Sequence, residues 1–275
     1  MNCAWKELLD ILSPWIRAEV DRTGREVLQE LRLRINAPPE MIGVNGYRFL
    51  EGIVREGDIR FCINAASKYS PWSVSTTEKG YLPAPGGHRI GLCGQVIITP
   101  GNKRHLQEIT SVCIRGARDF PGIAEKASHL SGSVLIIGAP GWGKTTLLRD
   151  LCRTISEKYT LCVSDERCEL FPAGIPRGSR MDVLSGCPKS HGVEMLLRTM
   201  SPRFIAVDEI TASEDCDAIV MASNCGVCFL ATAHAASVED YLTRTVYRPL
   251  IQHRIFQTLV VLRQDKSYTI ERMCP

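Results

Sequence analysis

Eight consecutive residues, Gly138-Ala139-Pro140-Gly141-Trp142-Gly143-Lys144-Thr145, fit the pattern GxxxxGK[ST] without a mismatch. The run "SVLIIGA" leading into them is apolar, and "KTTLLRDL" at their end reads as a helix. A glycine-rich turn between a strand and a helix lets successive backbone N–H groups face inward as an anion nest. The helix adds the positive end of its dipole. From about Ser133 onward the same alternation recurs. The apolar stretches "LCVSD", "FIAVDEI", "VCFLATA" and "TLVVLRQ" are separated by helical stretches beginning near Lys144, Val193, Glu214 and Val238. Short apolar strands alternating with helices predict a mainly parallel sheet covered on both faces. Residues 122–275 are therefore expected to form a doubly wound α/β domain that carries the phosphate loop.

The first 121 residues read differently, as a smaller α/β domain. "WKELLDILSPWIRAEVD" places Leu8, Leu9, Leu12, Trp15, Ile16 and Val20 near helical spacing. "LQELRLRI" alternates Leu31, Leu33 and Ile35 with Arg32 and Arg34, the pattern of a half-buried strand. "MIGVNGYRF" predicts a hairpin through Asn45-Gly46. A short helix near Ile63–Tyr69 and strands in "GGHRIGLCGQVIIT" and "ITSVCIRGA" follow. Asp119-Phe120-Pro121-Gly122 is the best linker candidate.

At 275 residues, 44% hydrophobic and 23% charged, the chain has the size of two ordinary globular domains. No apolar run approaches the ~18 residues of a membrane span. The N-terminal stretch carries acidic residues where a signal peptide wants bases, so the expectation is a protein that stays in the cytosol. A net charge of +3 does not argue for nucleic acid. Among twelve cysteines, Cys225 and Cys228 form the CxxC, and no second pair stands at zinc spacing. Reduced structural thiols are the leading reading, with a metal or redox role as the alternative.

The chemistry is carried by four strand ends. Lys144 is expected to reach the β- and γ-phosphates and the Thr145 hydroxyl to coordinate Mg²⁺. In "RFIAVDEI" a buried strand ends at Asp208, where it can hold Mg²⁺, and Glu209 can polarise an attacking water. A carboxylate in that place favours hydrolysis over transfer to a substrate alcohol. Asp165 and Glu166 in "SDERCEL" are expected to face the same metal, ordering its water shell or positioning the nucleophile, with a solvated charged turn as the alternative. His234, in "TAHA", is a candidate γ-phosphate sensor or else a satisfied core histidine.

The order of these parts resembles the secretion ATPases, the hexameric RecA-like motors of type II and type IV secretion and pilus retraction, and among them their sporulation branch. The matching stretches are "GGHRIGLCGQ", "ITSVCIRGAR", "GAPGWGKTTLLRDL", "SDERCEL", "VDEI" and "TAHA", within a likeness covering about four-fifths of the chain. The resemblance implies ATP binding at Gly138, Ala139, Pro140, Gly141, Trp142, Gly143, Lys144, Thr145 and Thr146, and Mg²⁺ at Thr145 and Asp208. It makes Glu209 the hydrolytic carboxylate, Asp165-Glu166 an acidic box and His234 a histidine box. Arg115 and Arg89 become candidates for N-terminal arginines that reach the nucleotide. It further implies a homo-hexamer on the mother-cell side of a membrane-embedded channel complex, without a membrane span of its own. One departure stands out. General secretion motors have Gly-Glu and then Arg-Asp where this chain reads Asp208-Glu209-Ile210-Thr211, so no role can be transferred for that arginine. The long N-terminal extension and four-cysteine metal domain of type II motors are also missing, giving the expectation of a minimal motor. A nucleic-acid motor is the alternative; the balanced charge and the lack of an aromatic-basic stripe speak against it. A non-catalytic ATP-ordered scaffold is a third reading, against which Glu209 speaks.

Overall fold

Val134–Ile137, four apolar residues buried on both faces, form the strand that ends in the phosphate-loop sequence. Around this strand, β7, the C-terminal unit is built. The computed structural model describes residues 4–24, 28–43, 46–67, 80–99 and 103–273. They divide into two compact units: Met1–Asp119 with Pro172–Ile175, and Phe120–Phe171 with Pro176–Pro275.

In the N-terminal unit the helices are α1 (Trp5–Asp10), α2 (Pro14–Thr23) and α3 (Glu56–Ser67). The strands are β1 (Glu30–Arg34), β2 (Glu40–Gly43), β3 (Gly46–Phe49), β4 (Tyr81–Pro83), β5 (Arg89–Thr99) and β6 (Lys103–Arg115). They form one antiparallel sheet in the order β3-β2-β1-β6-β5-β4. The single helical run expected at the start is two helices. Ser13 precedes a proline and is held extended at ψ 151°, while Pro14 starts the second helix, where its missing N–H costs nothing. Leu8, Leu9, Leu12, Ile16 and Val20 are buried as their spacing predicts, and Leu31 and Leu33 of β1 join them in the core. The third helix starts earlier than the expected Ile63. Glu56 and Asp58 occupy its first turn, where carboxylates suit the dipole, and Ile59, Cys62 and Ala66 face inward. Tyr69 lies outside the described residues, as does Asn45 of the expected hairpin; β2 and β3 pair antiparallel on either side of it.

The C-terminal unit holds β7, β8 (Leu161–Asp165), β9 (Met181–Ser185), β10 (Phe204–Ile210), β11 (Cys228–Ala233), β12 (Thr258–Leu262) and β13 (Tyr268–Arg272). Its helices are α4 (Lys144–Ser156), α5 (Lys189–Met200), α6 (Ser213–Asn224), α7 (Val238–Thr243) and α8 (Arg248–Gln252). The strand order is β13-β12-β7-β11-β10-β8-β9, parallel except for β13. The five apolar strands read from the sequence are the interior of this sheet. The edges β9 and β13 escape that reading because "MDVLS" and "YTIER" are only partly buried and carry polar residues. No helix among the described residues is long and apolar enough to cross a membrane.

A buried histidine fixes the N-terminal unit. His88 is 1% exposed; its Nδ1 accepts from the Ala117 N–H at 2.9 Å, and its Nε2 lies 2.8 Å from the Ala4 carbonyl. That pattern leaves the proton on Nε2 and the ring neutral. Burial holds its pKa below the ordinary value, outweighing the Ala4 carbonyl and the charge of Glu7. The unfolded chain therefore binds the proton first as pH falls below about 6.5. The contribution of His88 is complete above that pH and is lost as pH drops toward the lower folded value. In thermal unfolding measured from pH 8 downward, at values chosen on the order of one unit apart, His88→Gln is expected to flatten the decline of Tm below neutrality; an unchanged slope would exclude this role.

Candidate active site

The loop after β7 folds as a cradle because two of its glycines adopt backbones that other residues resist. Gly141 has φ 75° and Gly143, the residue before α4, has φ 102°. Lys266, from the turn between β12 and β13, donates to the Gly141 carbonyl at 2.6 Å and clamps the outer side. Trp142 donates its backbone N–H to Ala139 at 3.3 Å, and its ring lies over Gly138. Ala139 is half-buried and Pro140 exposed, and Thr146 is half-buried in the first turn of α4. The Lys144 ammonium donates to the carbonyls of Gly138 (2.9 Å) and Ala139 (3.2 Å) and to His234 Nδ1 (3.1 Å). Burial lowers its pKa, and the carboxylates of Asp208 and Glu209 oppose that shift.

Two hydrogen-bond chains meet at this edge of the sheet. In one, the Thr145 hydroxyl donates to Asp208 Oδ2 at 2.8 Å and the Thr232 hydroxyl donates to Asp208 Oδ1 at 2.6 Å. Thr232 also accepts the backbone N–H of Glu209 at 2.7 Å. In the other, Lys144 donates to Nδ1 of His234, so the imidazole proton sits on Nε2 and is given to Glu209 Oε1 at 2.7 Å. Arg167 Nη1 donates to the second oxygen, Oε2, at 2.5 Å. Burial pushes the Glu209 carboxyl up, but the His234 hydrogen bond and the nearby Arg167 and Lys189 charges outweigh it. The group is held below the usual carboxylate range.

Successive strand residues normally face opposite sides of a sheet. Asp208 and Glu209 both serve this edge because β10 is irregular there: its register with β11 shifts between Val207 and Ile210, and Glu209 takes φ 57°. Thr232 lies in β11 and His234 is the first residue after it, two positions on, a spacing visible in the sequence that gives the threonine no role.

The acidic box is divided. Asp165 does not face this chain of contacts. It is 2% exposed, and its two oxygens accept the backbone N–H groups of Glu169 (2.9 Å), Leu170 (3.0 Å) and Phe171 (2.9 Å). Burial raises its pKa in spite of these donors. Its evident work is to shape the turn after β8. Glu166 points to Lys189, a lysine only 7% exposed, at 2.8 Å, and Lys189 also lies 3.7 Å from Asp215. Nothing in the local pattern around "PKSH" marks Lys189 in the sequence. Arg167 lies within "SDERCEL", and nothing in that stretch marks its pairing, which depends on the order of strands in the sheet. Arg89 and Arg115 lie in register on β5 and β6. Arg89 packs 4.0 Å from the centre of the Tyr81 ring, and Arg115 pairs with Glu30 at 3.2 Å.

The strand that bears Thr232 and leads into His234 is inserted between the phosphate-loop strand and the Asp-Glu strand, which makes this a RecA-like P-loop fold of the kind found in secretion ATPases. The pilus retraction motor PilT with bound ADP superposes with a TM-score of 0.62 at 13% identity, over 96% of this chain and 81% of that one. The ATPase DotB of Legionella pneumophila gives 0.59 at 15%, over 94% and 79%. The family described as sporulation stage III, protein AA matches residues 4–271. Stage III sporulation protein AA of Bacillus subtilis (strain 168) is 39% identical over 259 residues, covering 87% of this chain and 84% of the relative. The chain belongs to the stage III sporulation protein AA family. A more distant likeness is to the Arabidopsis thaliana protein SEEDLING PLASTID DEVELOPMENT 1, 30% identical over 256 residues, 88% of this chain but 35% of that protein.

Replacing Asp165 by alanine would orphan three backbone N–H groups. At about 1–3 kcal/mol for each unsatisfied donor, a loss on the order of 3 kcal/mol in unfolding free energy is expected. Urea denaturation measures it; a loss below about 1 kcal/mol would mean that water replaces the carboxylate.

Proposed function

We propose that this chain is a magnesium-dependent ATPase that works as a homo-hexamer and energises a membrane-embedded secretion-like channel during endospore formation, docked on its mother-cell side. Hydrolysis is supported above all by one observation: Glu209 presents a carboxylate beside Lys144, Thr145, Asp208 and His234 at a single sheet edge. The channel and the hexamer are supported by family membership and by a fold shared with proteins named as a pilus retraction motor and an ATPase.

The residues fit the groups they would hold. A cradle of backbone N–H groups at the start of α4, with the Lys144 ammonium beside it, suits the phosphates of ATP. Thr145 and Asp208 set a hydroxyl and a carboxylate side by side, an oxygen donor set suited to Mg²⁺ completed by water and phosphate oxygens. What the ion supplies when bound is neutralisation of charge on the phosphate oxygens. Lys144 would exchange its carbonyl partners for the phosphates and help neutralise the same charge. Glu209 would take the proton of the attacking water on its carboxylate, held ionised by His234 and Arg167. His234, neutral with its proton on Nε2, would keep that carboxylate facing the phosphates while its other nitrogen reports on Lys144. Arg89 and Arg115 remain the candidate nucleotide-contacting arginines of the N-terminal unit.

Lys144→Ala is expected to abolish Mg²⁺-dependent phosphate release, and full activity in that variant would overturn the phosphate-loop assignment. Glu209→Gln is expected to bind ATP with near-normal affinity while turnover falls by about 10²-fold or more. Near-normal turnover would move the base elsewhere, with Glu166 the next carboxylate to test.

A further inference from the structure

The geometry points to Arg167 as a positioning residue that fixes the direction of the Glu209 carboxylate, an inference resting on the hydrolytic reading above. Glu209 projects from an irregular strand end and is half-buried, so packing alone does not lock its side chain. Two donors hold its two oxygens. His234 takes Oε1 at 2.7 Å on the side of Lys144, and Arg167 takes Oε2 at 2.5 Å on the side of the β8–β9 connection. A carboxylate has about four lone-pair sites, so two donors leave room for a water at the inner oxygen. Arg167 thus fixes the outer oxygen without using the site that would receive the proton.

The turn that carries Arg167 is tied to Asp165. Cys168 donates its N–H to the Asp165 carbonyl at 3.3 Å, and the next three N–H groups close on the Asp165 carboxylate. The buried carboxylate that does not face the site therefore fixes the turn that carries the arginine. Stability alone gives little reason for the pair: Arg167 is 51% exposed, and such surface pairs contribute about 0–1 kcal/mol. Among the described residues Glu209 is its ion-pair partner, and a planar guanidinium is the cation best suited to set a direction.

The test compares the full chain with Arg167→Ala and Arg167→Lys in steady-state ATP hydrolysis, with nucleotide affinity measured by titration of a fluorescent ATP analogue. Arg167→Ala is expected to lower kcat by about tenfold or more, as a misplaced catalytic group does, and to leave KM and analogue affinity within about twofold. Arg167→Lys should recover part of the loss. In the Glu209→Gln background, Arg167→Ala should add nothing, because the group it positions is already gone. Unchanged kcat in Arg167→Ala, a loss carried by affinity, or an equal further loss on top of Glu209→Gln would each overturn the role. Failure of the unaltered chain to hydrolyse ATP would fell the ATPase reading itself, and this inference with it. An active unaltered chain indifferent to Arg167 would fell the positioning role alone.

Discussion

The hydroxyl of Thr232 is the contact on which the rest of this sheet edge depends. It donates to Asp208 at 2.6 Å and accepts from the Glu209 N–H at 2.7 Å, and the residue is fully buried. One small group therefore fixes the carboxylate beside Thr145 and stabilises the irregular turn that aims Glu209. It can do so because β11 lies between β7 and β10, within reach of both. With an apolar side chain of the same shape there, a partly buried N–H and a carboxylate oxygen would lose this partner together, each at a cost of up to about 1–3 kcal/mol.

Much of the C-terminal unit was legible from the chain because its interior strands are buried on both faces and read as unbroken apolar runs. The edges β9 and β13 carried no such signal, since a strand with one open side has no reason to be apolar throughout. The sequence marks the residues that gather at the sheet edge, Lys144, Thr145, Asp208, Glu209 and His234, but not the contacts that Asp165 makes. Asp165 ends the strand that follows the phosphate loop in sequence and Glu166 comes next, an order that by itself predicts that both face the same ion. In the sheet β8 stands three places from β7, with β11 and β10 between. Nearness along the chain says little where strands are interleaved, and Asp165 turns instead to the backbone of its own loop. Conversely, Arg167 meets Glu209 only because β8 neighbours β10, a pairing no local pattern encodes.

The cysteines follow the same physical logic. Burial pushes the thiols of Cys62 and Cys216 up to about 12 and Cys162 to about 11, and raises Cys152 as well. A thiol so reluctant to ionise is a poor nucleophile and a poor metal ligand. Cys152 sits inside α4, two turns beyond Lys144, and packs as a small hydrophobe. Of the CxxC pair, Cys225 is exposed and Cys228 partly so.

The left-handed backbone at Glu209 carries a further consequence. A residue with a Cβ gives up roughly 1–2 kcal/mol to stand at φ 57°, and a branched one more. Glycine is the residue the backbone would choose at this position, and valine, isoleucine or threonine the ones it would refuse. The chain places a long carboxylate there against that preference, so folding alone does not account for the choice. On the proposed hydrolytic reading, survival of a stable fold and survival of turnover rank replacements at position 209 in opposite orders, so one dihedral angle would separate a chain kept for chemistry from one that has kept only the shape.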